Sequence, residues 1–122
     1  HVADLSAYLT DHGVSVDGIL PPSHVVHWQD RCFTCRLWPL AMHRWERGQV
    51  LWRIRRLAGR IEPDLLHIHG PYSGFWARGA LLHGGPWRIV YTPHVLSLRR
   101  SLWRRLHWQW ERRAARYTDA FV

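Results

Sequence analysis

Apolar residues recur at helical spacing in several stretches of the chain and gather into short runs between them, so helices and strands alternate from end to end. Residues 1–12 place Val2, Leu5 and Leu9, with Tyr8 beside them, on one helical face, and Gly13 stands where a helix is ended by a left-handed residue. Val14 to Leu20 reads as a short strand that Pro21-Pro22 cuts off. Residues 23–44 carry the weakest pattern, with a strand near Phe33 to Trp38 before Pro39. From Trp45 to Ile61, Val50, Leu51, Ile54, Leu57, Ala58 and Ile61 share one helical face and Arg53, Arg55, Arg56 and Arg60 largely the other. A long helix is predicted from Leu98 to Tyr117, buried along Leu98, Leu102, Leu106, Trp110, Ala114 and Tyr117 and joined by Trp103, before Ala120-Phe121-Val122 opens another strand.

The stretch from Pro63 to His94 holds the most information. Asp64 to His69 is a short apolar run stopped by Gly70-Pro71, and Trp87 to Thr92 is a β-branched and aromatic run stopped by Pro93. Ser73 to Leu82 between them predicts a helix, with Ser73 as its cap and Gly84-Gly85 as its end. Strand, helix and strand make a βαβ unit, whose right-handed crossover sets both strands parallel. Open sheets of this kind bind ligands beyond the carboxyl ends of their strands, which makes His69 and His94 the first candidates for chemistry. His67 alternates with Leu66 and Ile68 and is expected in a helix interface as a satisfied core histidine.

A length of 122 residues fits one domain. No window approaches the roughly eighteen apolar residues that a membrane-spanning helix needs. The chain opens on His1 without a methionine or signal peptide and closes as a strand begins, so it is expected to be a piece of a longer protein. The formal charge of +8 rests entirely on arginine, since lysine is absent. A base-composition bias would account for that exchange but not for the charge itself, and arginine equally suits a phosphate or carboxylate partner. Nine tryptophans favour burial, an interface or a membrane surface.

Cys32 and Cys35 form a lone C-x-x-C, with His24 and His27 upstream at spacings that zinc would accept. All four fall in one short stretch, whereas structural zinc usually joins two separated pairs. Two half-buried thiols in a reducing cytoplasm are the expectation.

These motifs resemble, in their order, those of the N-terminal domain of GT-B glycosyltransferases of the family 4 type. HVADLSAYLTDHGVSVDGIL resembles the family's first helix and second strand, and EPDLLHIHGPYSG its strand reading roughly pDvvHaH. RIVYTPH is similar to its v-T-x-H strand end, and ERRAARYTDAFV to its E-x-x-x-a-x-x-a-D-x-v segment. The resemblance implies an α/β fold with a mainly parallel Rossmann-like sheet flanked by helices, here as an incomplete domain. The family's first strand with its glycine loop would precede His1, and its donor-binding domain would follow Val122. Position 95 is Val where the family often has Gly.

The resemblance further implies a retaining transfer from a nucleotide sugar to a lipid-linked or glycan acceptor, with no bound cofactor or metal. The fragment alone is expected to be inactive. His94 takes the place of the family histidine that lies beside the donor sugar, and His69, Gly70, Tyr72, Ser73 and Thr92 are the candidates for substrate binding. Arg100, Arg104, Arg105 and Arg112 lie off the apolar stripe of the last helix with Trp108 among them, a face suited either to anionic lipid at the cytoplasmic side of a membrane or to solvent. Two rivals remain open: a basic nucleic-acid-binding module, for which no recognition motif is present, and another GT-B enzyme such as a sugar-nucleotide epimerase.

Overall fold

A computed structural model describes residues 2–32, 34–41, 47–82, 84–94 and 102–122, the side chains of residues 47, 102–105 and 107 excepted. The chain divides into two compact units, His1–Arg47 and Gly48–Val122.

The first unit runs α1 (Val2–Asp11), β1 (Asp17–Leu20), a 3-10 turn (Pro22–His24), α2 (Val25–Gln29) and β2 (Arg36–Pro39). Gly13, at φ +82°, ends α1 as its position suggests, its amide reaching back to the Thr10 carbonyl. The buried face of α1 is not the predicted one. Ala3 and Ser6 are buried while Leu5 and Tyr8 are exposed, because the helix turns its small side chains inward, with Thr10 Oγ1 reaching 3.7 Å from Cys35 Sγ and 3.9 Å from Cys32 Sγ. The two cysteines are not the expected free thiols. Both are buried and joined in a disulfide, which their Cα separation of 5.6 Å permits. Their sulfurs are thus taken from the His24/His27 set, and among the described residues no three His, Cys, Asp or Glu gather to hold a metal.

β1 and β2 pair in parallel from Asp17↔Arg36 to Leu20↔Pro39. The strand starts at Asp17 rather than Val14 because the pairing starts there. The Asp17 carboxylate accepts from Arg36 Nη2 at 2.9 Å and the Trp38 indole at 2.7 Å. The short α2, which the weak pattern did not resolve, lays Trp28 over Gly18, where a Cβ would come within 3.1 Å of the ring.

The second unit runs α3 (Arg47–Ile61), β3 (Leu65–His69), α4 (Pro71–Leu81), β4 (Arg88–Thr92), α5 (Leu102–Ala115) and β5 (Ala120–Phe121). Its sheet is parallel in the order β3-β4-β5. Val50, Ile54 and Ala58 of α3 are buried at helical spacing as expected, Val50 and Ile54 each worth about 1.5–3 kcal/mol of burial. The predicted starts of α3 at Trp45 and of α5 at Leu98 lie outside the described residues. Ser73 does not cap α4. Gly70 is its N-cap and Pro71 its first residue, which places Ser73 inside the first turn. The other end is as predicted: Gly84, at φ +75°, returns its amide to the Leu81 carbonyl.

The buried stripe of α5 also differs. Ala114 is buried and Trp110 half-buried, but Leu106 and Tyr117 are exposed. The helix is turned so that Glu111 meets Arg78 of α4, Oε2 to Nη2 at 2.5 Å. Arg78 is only 2% exposed; its guanidinium lies 3.9 Å over the Tyr91 ring and 5.0 Å from that of Trp110, and its Nε donates to the Gly74 carbonyl. Arg78 therefore joins α4 to α5 by an ion pair and to β4 by its contact with the Tyr91 ring. Gly74 allows it, since a Cβ there would fall 2.6 Å from Tyr91 Oη. Asp119 fixes β5 beside β4 by accepting from the Ile89 amide at 2.7 Å and Arg88 at 3.0 Å, contacts that hold its carboxyl below the usual carboxylate range.

Replacing Glu111 by Gln would leave the Arg78 charge buried without its counter-ion, at a cost of about 3–5 kcal/mol in urea denaturation, whereas Arg78→Met with Glu111→Leu recovers most of that loss. Gly74→Ala is expected to destabilise by about 1–3 kcal/mol despite the higher helix propensity of Ala, because the new methyl overlaps the Tyr91 ring.

Candidate active site

The site is assembled by the register of two strands. β3 and β4 pair residue for residue from Leu65↔Arg88 to His69↔Thr92, so both reach the same edge together. Beyond this edge the Gly70 amide donates to the Thr92 carbonyl at 2.8 Å, and the backbone turns at Gly70, φ +81°, straight into α4. Past Pro93 the chain turns at His94, whose φ of +57° is uncommon for a residue with a Cβ. That turn brings the His94 ring back over the end of β3. His69 Nδ1 lies 3.4 Å from His94 Nε2, with the rings stacked and their centroids 5.5 Å apart.

His67 belongs to the same group and is not the core histidine expected. It is exposed, its ring centroid 3.9 Å from that of His69, and its Nε2 pairs with Thr92 Oγ1 at 2.9 Å. The signal was present in the sequence: residues two apart on a strand share a face, so His67 and His69 had to point the same way while Ile68 took the buried side.

Burial pushes the His69 imidazole down to about 4, and the nearby charges on His67 and then His94 add to the effect. His67 is lowered by burial first and by His94 second. These shifts favour the neutral form of both rings, in which each exchanges hydrogen bonds as a one-donor, one-acceptor group.

Of the other expected site residues, Gly70 and Thr92 lie at this edge, bonded to each other and, through Thr92, to His67. Tyr72 is exposed in the first turn of α4, edge-on to Trp76, and Ser73 is half-buried behind it. On α5, Trp108 and Arg112 are exposed; the side chains of Arg104 and Arg105, and all of Arg100, lie outside the described residues. An open hollow along the last turn of α5 is lined by Arg112, Arg113, Arg116 and Tyr117, away from the histidines.

Because the folded pKa of His69 lies below its ordinary value, the unfolded chain binds more protons between about 6.5 and 4, and stability falls as pH drops through that window. Imidazole proton resonances of His69 are expected to stay near their neutral positions from pH 8 to 5 and to move only near pH 4. Titration near 6.5 would show that its surroundings do not disfavour the charged ring.

The family model for Glycosyltransferase Family 4 matches residues 1–122. No curated protein and no solved structure matches the chain. A parallel, Rossmann-like α/β arrangement agrees with that match, and the chain belongs to glycosyltransferase family 4.

Proposed function

We propose that this chain forms the acceptor side of a retaining glycosyltransferase cleft, in which a sugar passes from a nucleotide-sugar donor to a lipid-linked or glycan acceptor at the cytoplasmic face of a membrane. The observation that carries this reading is the meeting of His69 and His94 at the carboxyl edge of a parallel sheet in a family 4 chain. The donor is a substrate rather than a resident cofactor, and its diphosphate is held by a donor-binding domain outside these residues. Those outer groups stabilise the negative charge that develops as the sugar departs. His94 acts on the sugar side, hydrogen-bonding the reacting group from a backbone held in place by Pro93 and the end of β4. Tyr72 and Ser73, beside the turn at Gly70, line the approach of the acceptor.

The membrane part of this reading rests on α5. Trp108 and Arg112 are exposed and four residues apart on α5, so an aromatic and a cationic group share one face, and exposed Arg116 follows just past the helix end. Among the described residues no helix is long and apolar enough to cross a membrane. In this reading contact is made from the surface, through anionic headgroups.

In the intact enzyme that carries this chain, His94→Ala is expected to lower kcat by about ten- to a hundredfold, on the order of 1.4–3 kcal/mol of transition-state stabilisation, with donor affinity little changed. His94→Gly, which relieves the backbone turn, should lose as much. Normal turnover with a lowered Tm would make the histidine structural. Sedimentation with anionic vesicles should weaken as salt rises, since exposed charge is screened over roughly 8 Å at physiological ionic strength. Replacing Arg104, Trp108 and Arg112 together should reduce it; indifference to both treatments would leave this face to solvent.

A further inference from the structure

His94 has a neighbour whose placement goes beyond lining a pocket. We propose that His69 is a positioning residue for His94: its Nδ1 accepts the His94 Nε2–H, and this bond fixes the tautomer that leaves His94 Nδ1 unprotonated to accept a hydrogen bond from a substrate hydroxyl. The inference deepens the reading of His94 given above and rests on it.

Between two neutral rings only two arrangements are possible. A neutral imidazole carries one N–H, so the contact between His69 Nδ1 and His94 Nε2 is made by one donor and one acceptor. If His69 donated, its proton would sit on Nδ1, and His94, accepting at Nε2, would also carry its proton on Nδ1. Both rings would then adopt the tautomer that an unconstrained histidine side chain disfavours. If His94 donates, both rings hold their proton on Nε2, the favoured position. The second arrangement needs no compensation elsewhere.

Two further features hold the acceptor in place. His67 packs at a tilt against His69 with ring centroids 3.9 Å apart while its own Nε2 is tied to Thr92 Oγ1, so the His69 ring is braced from within its own strand and from β4. Partial burial disfavours the charged form of His69, and the neighbouring groups whose charge acts on it are His67 and His94. It therefore retains its acceptor lone pair at physiological pH. The turn at His94, φ +57°, is the strained element that this bond holds. At 3.4 Å the bond is long, as catalytic hydrogen bonds often are before the reacting groups are in place.

Two measurements test the assignment. In this chain, nitrogen chemical shifts of the His94 ring at pH 7.5 should show a single tautomer with the proton on Nε2, relaxing to a mixture in His69→Leu. A His94 ring protonated on Nδ1, or one unchanged by the substitution, would overturn the proposal; should the Leu variant fail to fold, His69→Phe, which keeps a ring but has no acceptor nitrogen, serves for the same comparison. In the intact enzyme, His69→Leu should lower kcat about tenfold with KM unchanged, and His69→Asn, whose Oδ1 stands near the place of Nδ1, should recover most of it. Equal losses in Leu and Asn variants, or no loss in either, would overturn the positioning role. Unchanged turnover in His94→Ala would overturn the reaction role of His94 itself; loss there without loss in His69→Leu overturns only the part assigned to His69.

Discussion

The parallel, residue-for-residue pairing of Leu65–His69 with Arg88–Thr92 is the constraint on which the site depends. It sets His69 opposite Thr92, lets the Gly70 amide close on the Thr92 carbonyl, and leaves two residues, Pro93 and His94, to turn back over the strand end. A shift of one residue in that register would move every side chain of β3 to the opposite face, sending His67 and His69 into the core and Ile68 out of it. Fold and candidate chemistry are thus specified by the same hydrogen bonds.

The register is itself held from behind. Tyr91, 1% exposed, packs beneath Arg78, and burial together with the charge of Glu111 keeps its phenol protonated, against a smaller opposing effect of Arg78. The ion pair is costly to desolvate, so its contribution lies less in net stability than in specifying which faces of α4 and α5 meet β4. Glu111 and Asp119 both lie in the segment ERRAARYTDAFV that carries part of the family resemblance. In this structure both act on the scaffold, Glu111 through Arg78 and Asp119 through the Ile89 amide and Arg88.

Much of this was legible in the residues alone. The βαβ unit, the glycine-ended helices α1 and α4, the inward face of α3 and the shared strand edge of His69 and His94 all follow from periodicity and turn residues. What escaped did so for identifiable reasons. Periodicity counts apolar residues, so it drew the stripe of α5 through Leu106 and Tyr117 and missed a helix oriented by a buried charge, Arg78. It favoured Leu5 and Tyr8 on α1 over Ala3 and Ser6, because a small residue allowing close approach scores as weakly apolar. Ser73 looked like a cap by residue type, yet Gly70-Pro71 had already started the helix. The disulfide between Cys32 and Cys35 depends on a local approach that spacing alone does not decide.

The central claim is that two strand ends bring His69 and His94 into contact, and through-space proton contacts between the two rings test it most directly. With both imidazoles assigned at neutral pH, cross-peaks between their carbon-bound protons are expected, given centroids 5.5 Å apart. Their absence, in spectra where the cross-strand contacts of β3 and β4 are intact, would contradict the account, because the sheet would then be present without the site it is held to assemble.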